Sequence, residues 1–291
     1  MSFIREEIAR QPAAWRLAAD VSVTARCLPE PGMRVAVVGC GTSLYIARAY
    51  ASLRESYGLG ETDAFAASEF PAGRSYDRYV AISRSGTTTE VLDFLRGRRG
   101  RGPTVALTAD PAMPIGDLAD TVLSLEFADE RSVVQTLFAT TALAALRASL
   151  GEDIRPLADR AESAVSESLD QAWLEAEQFT FLGRGWAFGI AQEAALKLRE
   201  AATDWTEAYP TMEYRHGPIS IAAAGRVVWH LGPGGEQLRA EVAATNALFV
   251  MQDDDPQVGL IRIQRLAVER AARRGLDPDQ PRHLTRAVVL G

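Results

Sequence analysis

The sequence repeats itself at about half its length. "RVAVVGCGTSLYIARAYASL" (34–53) is a short apolar run, a glycine turn and a helical pattern, and "FTFLGRGWAFGIAQEAALKL" (179–198) is built the same way. Gly39 and Gly41 correspond to Gly183 and Gly185, an offset of 144 residues. The run ending at Pro111, "PTVALTADP", corresponds to "NALFVMQDDDP" ending at Pro256, an offset of 145. A looser pair is "YVAISRSGTTTEVLDFL" (79–95) and "RVVWHLGPGGEQLRAEV" (226–242). A repeat this long in 291 residues predicts two similar α/β domains. The apolar runs are short and do not alternate, as in strands covered on both faces. Each domain is therefore expected to hold a doubly wound parallel sheet flanked by helices. The expected boundaries are a helical segment over 1–20, interrupted near Pro12, a first domain over 21–155 and a second over 156–291. Residues 131–149 and 155–177 read as helices, and the chain is expected to close with a loop and a strand, Ala287–Leu290.

In a parallel sheet, ligands bind beyond the carboxyl ends of the strands. At one such end stand Ser83, Ser85, Thr87, Thr88 and Thr89 around Gly86, where a strand hands over to a helix. One helix cap needs one hydroxyl. Five hydroxyls at a helix amino end, with a glycine that would let the backbone come close, point to an anion, phosphate first. "GCGTS" (39–43) repeats the theme with Thr42 and Ser43. It lacks the third glycine of a dinucleotide fingerprint, and no Gly-Lys-Ser/Thr ending is present for a nucleotide P-loop.

Composition narrows the partners. A formal net charge of −7 argues against a nucleic-acid binder. No apolar run approaches the ~18 residues of a membrane span, and "MSFIREEIAR" has no apolar signal region. Cys27 and Cys40 are too few for a zinc site or a disulfide framework, which fits a cytoplasmic protein; neither metal nor cofactor is expected. Of the 31 basic residues only Lys197 is a lysine. Either it is a chance survivor of a bias towards arginine, or the position needs a compact amine. Its helix carries Glu193 and Glu200 at spacings of four and three, so the three share one face. That pattern alone fits a solvated salt bridge as well as a reactive group. His216 follows in a loop, before Gly-Pro.

Taken together and in order, "CGTS", "SRSGTTTE", "ERSVVQT", "EAALKLRE", "EYRHGP" and "DQPRHLTRAV" resemble the double-SIS (sugar isomerase) family. The chain is similar there to the isomerase half of glucosamine-6-phosphate synthases and to stand-alone amino-sugar-phosphate deaminases, isomerases and deglycases. The resemblance implies that Thr42, Ser43, Ser83, Ser85 and Thr88 hold a sugar phosphate. Gly41, Arg84, Gln135 and Arg286 would lie at the same sugar site. It implies that Glu200 moves a proton between C1 and C2, that Lys197 supports the enediol-like intermediate, and that His216 opens the sugar ring. In this family the histidine tends to come from the partner in a homodimer. Three departures stand out. No glutaminase segment precedes the motifs, so synthase activity is not expected. Arg84 replaces the glutamine between the two serines of the synthase's phosphate loop. Arg286 replaces the lysine that forms an imine with the ketose, a bond arginine does not form. The expected function is deamination or aldose–ketose isomerisation of a hexosamine-6-phosphate such as glucosamine-6-phosphate. The alternatives are a fructosamine-6-phosphate deglycase and, in another class, a non-catalytic sugar-phosphate sensor.

Overall fold

The computed structural model describes residues 2–24 and 27–290. They cluster into two compact units. One comprises Arg10–Arg131, Gln135–Ala158 and Thr285–Gly291, and the other Met1–Ala9, Ser132–Val134 and Asp159–Leu284. The chain opens with α1 (Phe3–Thr24), which runs through Pro12 without the expected interruption. Proline at a helix interior costs about 3 kcal/mol. The turn after it offsets that cost by burying Ala14, Trp15 and Ala18. Gln11 and Trp15 on either side of the proline both bond the Thr140 hydroxyl, at 2.7 and 3.0 Å.

The first sheet is built from β1 (Val35–Gly39), α2 (Thr42–Ser56), β2 (Thr62–Ala66), β3 (Arg78–Ile82), α3 (Thr89–Arg98), β4 (Thr104–Thr108), α4 (Pro114–Leu118), β5 (Thr121–Ser124) and α5 (Leu137–Ser149). Its order is β2-β1-β3-β4-β5, all parallel. Every residue of β1 and β4 is buried, as the unalternating apolar runs require. Ala36, Val38, Ala81 and Ala106 pack with Val91, Leu92 and Leu95 of α3, while α2 lies on β1 and β2 and carries α5. Helix α5 starts at Leu137 rather than 131, because the Glu130 carboxylate takes the Thr136 and Leu137 amides at 2.6 and 2.7 Å. The segment 287–290 is not a strand. Its backbone bonds go to a helix end instead of a strand edge: Val288 O accepts from Thr89 N at 3.1 Å, and Leu290 N donates to Thr89 Oγ1 at 2.9 Å.

After α6 (Arg155–Ser166) and α7 (Gln171–Glu175), the second sheet uses β6 (Gln178–Gly183), α8 (Ala187–Ala202), β7 (Thr206–Pro210), β8 (Arg226–Leu231), α9 (Arg239–Ala243), β9 (Leu248–Gln252) and α10 (Pro256–Arg273). Its order, β7-β6-β8-β9, is again parallel and repeats that of the first four strands of the other sheet. Helix α8 rests on β6 and β7 and against α10. A buried Asp204 fixes that pairing, receiving Arg270 Nε and Nη2 at 2.7 and 2.6 Å. His230 on β8 is also buried, with Nδ1 3.0 Å from Gly232 O and Nε2 3.0 Å from Thr211 Oγ1. Burial holds its pKa below the ordinary value.

The duplicated glycines do the same work twice. A Cβ on Gly39 would sit 2.6 Å from Ser43 C, and one on Gly183 would sit 2.3 Å from Ala187 O. Both strands therefore run straight into a helix that leans on the glycine. Gly41 and Gly185 follow with φ of 54° and 57°. Gly183→Ala should therefore destabilise the protein by about 1–3 kcal/mol or more. Gly97, inside α3 with open space around it, is the control. Gly97→Ala should stabilise by about 0.5–1 kcal/mol. Thermal unfolding of the two variants should move in opposite directions.

Candidate active site

In the first sheet β1 sends the chain to β2 on one side, while β3 lies on its other side, so strand order reverses between β1 and β3. The crevice beyond the carboxyl ends of those strands is where such a sheet receives ligands. Both hydroxyl stretches leave from these two strands. Thr42 and Ser43 open α2 behind Gly41, the helix cap, and both are buried. Ser83 is only 4% exposed, and its Oγ meets no hydrogen-bond partner among the described residues. The same holds for Gln135 Oε1. A buried, unanswered oxygen costs free energy in a folded chain, so each such atom calls for a polar neighbour. Ser85 Oγ accepts from Thr87 N and Thr87 Oγ1 at 3.3 and 3.1 Å. Thr88 caps α3 by position only, its side chain making no capping bond.

Two residues of this group turn elsewhere. Gly86 has a positive φ of 65° and sits tight against its neighbours. A Cβ there would lie 2.8 Å from Ile115 Cγ2 and 2.9 Å from Met113 Cβ, so the glycine makes room for the turn after β4. Arg84 is 2% exposed and faces Glu130, Nη1 to Oε2 3.7 Å, while Nη2 donates to Arg286 O at 2.7 Å. Arg286 Nη1 bonds Glu130 O, and Nη2 reaches Asp129 Oδ1 at 2.5 Å. Both arginines that depart from the synthase pattern thus converge on residues 129–130. Sequence reasoning missed Glu130 as their meeting point, because nothing in "ERSVVQT" says which carboxylate turns inward.

The second unit holds the other group. On α8, Lys197 Nζ lies 2.5 Å from Glu200 Oε2 and 3.4 Å from Glu193 Oε1. The lysine side chain is 1% exposed, Glu193 is fully buried and Glu200 is 19% exposed. A solvated salt bridge is therefore the wrong description. A desolvated ammonium needs close carboxylates to stay charged, and it has two. Glu200 alone of the three reaches open space, a cavity of about 260 Å³ lined also by Thr203, Asp277, Gln280 and Arg282. Gln280 and Arg282 lie in the stretch "DQPRHLTRAV", whereas Thr203 and Asp277 carried no signal in the sequence. His216 ends the 3₁₀ turn Glu213–His216 after β7 and is exposed, bonded to neither Lys197 nor Glu200. No cluster among the described residues has the makings of a metal site, and no described helix is long and apolar enough to cross a membrane.

No family model matches the chain. Among curated proteins it is similar to the isomerizing glutamine–fructose-6-phosphate aminotransferase of Methanothermobacter thermautotrophicus. The two are 30% identical over 88% of this chain and 52% of the relative. The aminotransferase of the same name from Sulfurisphaera tokodaii is 28% identical over 99% and 56%. The chain spans about half the length of these relatives. Among solved structures it is similar to a glucosamine-6-phosphate deaminase from Thermotoga maritima, with TM-score 0.84 and 26% identity over 99% of this chain and all of that one. The C-terminal domain of glucosamine-fructose-6-phosphate aminotransferase from Francisella tularensis gives TM-score 0.80 at 22% identity, over 97% of this chain and 98% of that one, a likeness of fold.

Because the Ser83 hydroxyl is buried without a partner in the chain, Ser83→Ala should leave thermal stability unchanged or slightly raised. An ordinary buried, hydrogen-bonded serine would lose about 1 kcal/mol on the same change. A clear fall in Tm would show that Ser83 holds the fold rather than a guest.

Proposed function

The chain belongs to the sugar isomerase (SIS) domain family, and on that premise we propose that it is an enzyme that deaminates or isomerises a hexosamine-6-phosphate such as glucosamine-6-phosphate. The observation that carries the reading is the buried Lys197 held against a partly open Glu200. A sensor of sugar phosphates needs the hydroxyl loop but has no use for a carboxylate positioned as a base. The phosphate is held by Ser83, Ser85, Thr88, Thr42 and Ser43. Glu200 takes the proton from C2 of the open-chain sugar and returns it to C1, work suited to a positioned carboxylate. Lys197 stays charged and stabilises the oxygen that becomes negative in between. With an amine on C2, the product of that transfer is an imine, which water converts to the ketose and ammonia. The enzyme forms no imine of its own, since Arg286 stands where the synthase keeps its lysine and Lys197 is engaged as a cation. His216 opens the sugar ring, and it serves the site of a second copy in a homodimer.

A second reading is favoured by the cavity at Glu200. It is larger than a bare amine requires, and its polar lining of Asp277, Gln280 and Arg282 suits a substituent on the sugar's nitrogen. A deglycase of phosphorylated sugar–amino-acid conjugates would use the same proton transfer. A panel of hexosamine and fructosamine phosphates, scored for ammonia, amino acid and isomerised sugar, separates the two.

Glu200→Gln should lower turnover at least ~10²-fold, the lower range for a general base. Deuterium at C2 should exchange with solvent in the parent enzyme and not in the variant; exchange that persists would point to another base. Borohydride added with substrate should leave the intact mass unchanged. A sugar-sized increase on Lys197 would replace its electrostatic role with a covalent one. Mixing Glu200→Gln chains with His216→Ala chains should restore part of the activity, and verified heterodimers without recovery would place each site within one chain.

A further inference from the structure

We infer that Arg84 is a positioning residue: with Glu130 it holds Thr285–Leu290 as a standing wall of the hydroxyl site, in place before any ligand arrives. Three sets of bonds carry this. Arg84 Nη2 donates to Arg286 O at 2.7 Å. The Arg286 side chain returns to Glu130 O and Asp129 Oδ1. Beyond it, Val288 O accepts from Thr89 N, and Leu290 N donates to Thr89 Oγ1. Thr89 is the first residue of α3, so the segment is stitched to the same helix end that the hydroxyl loop leads into. Between segment and loop lies a cavity of about 400 Å³, with Ser85 and Thr87 on one side and Thr285, Arg286, Ala287 and Val289 on the other.

The anchors are of a kind that does not let go easily. Arg84 and Glu130 are 1% and 0% exposed at their side chains. Removing either leaves its partner charged and buried, a state a protein strongly disfavours. The segment itself exposes Val288, Val289 and Leu290, so apolar burial does not hold it down. Its place depends on the polar bonds, and Arg84 supplies one that reaches the segment's backbone from the buried side. The glutamine of the synthase's loop could not be both a buried cation and a fork. The role of Arg84 is thus to shape the site rather than to touch the phosphate; the part about phosphate rests on the function proposed above.

Hydrogen exchange at the Thr89 and Leu290 amides tests the wall directly, because both donate to its bonds. In the wild-type protein without sugar phosphate they should be protected. In Arg84→Gln they should exchange at least ~10-fold faster, as an anchored segment becomes locally open. If that variant folds poorly because the buried Glu130 loses the cation it faces, Arg84→Gln combined with Glu130→Gln removes both charges together and should give the same result. Arg84→Lys keeps the charge without the fork and should recover part of the protection. With glucosamine-6-phosphate as the probe, KM should rise in Arg84→Gln by a larger factor than kcat falls. Unprotected amides in the wild type, or protection that the variants leave intact, would overturn the wall. So would protection that appears only when glucosamine-6-phosphate is added, although the phosphate reading would then stand. Protection without any sugar-phosphate binding would keep the wall and remove the proposed function.

Discussion

A missing side chain sets the geometry of both halves. At Gly39 and Gly183 the first turn of the following helix lies closer to the strand than any Cβ allows. That contact lets β1 and β6 pass into α2 and α8 through turns whose positive φ, at Gly41 and Gly185, needs a second glycine. Two of the candidate groups hang on those exits. Thr42 and Ser43 sit at the carboxyl end of β1 because α2 begins where it does. Glu193, Lys197 and Glu200 form one stripe of α8, whose roll is fixed at the start by Gly183 and at the end by the buried Asp204–Arg270 pair.

The two copies have kept the frame and divided the work. The first fills its strand ends with hydroxyls; in the second, "GRGW" and "GPGG" at the corresponding exits have none. What the second copy has instead lies further along its first helix, a charged triad where, at the offset of 144 residues, the first copy's α2 carries Ala49, Leu53 and Ser56. Burying one ammonium between two carboxylates is not a way to gain stability, since desolvation consumes most of the attraction. What the arrangement does achieve is geometric: it orients one carboxylate, Glu200, at the edge of an open cavity.

Much of this was legible in the sequence, for a physical reason. Short unalternating apolar runs bounded by glycine suit strands covered on both sides, and glycines repeated at a constant offset mark strand exits where a helix packs close. The run through Pro12 was not legible, because the cost of a proline is local whereas the burial of Trp15 that outweighs it is tertiary. The neighbours of Gly86 were not legible for a related reason: a positive φ permits close approach but does not say by what, and on the side a Cβ would take it is Ile115. The closing segment read as a strand because Ala287–Leu290 has a strand's composition. Its partners, a helix end and an arginine some 200 residues earlier, leave no trace in local pattern. The triad's spacing was plain, but whether it was wet or dry depended on α10 and on neighbours the helix does not encode.

The buried His230 carries one further consequence. All three histidines of the chain, His216, His230 and His283, lie in the unit that holds the second sheet. His230 satisfies both ring nitrogens as a neutral imidazole, donating from Nδ1 to Gly232 O and accepting from Thr211 at Nε2. Its pKa is lowered by folding, so the unfolded chain takes up the proton first as pH falls. The stability it contributes is whole above its unfolded pKa, about 6.5, and drains away as pH drops towards the folded one. Mild acid therefore loosens a contact inside the second sheet, at the strand β8 that carries this imidazole.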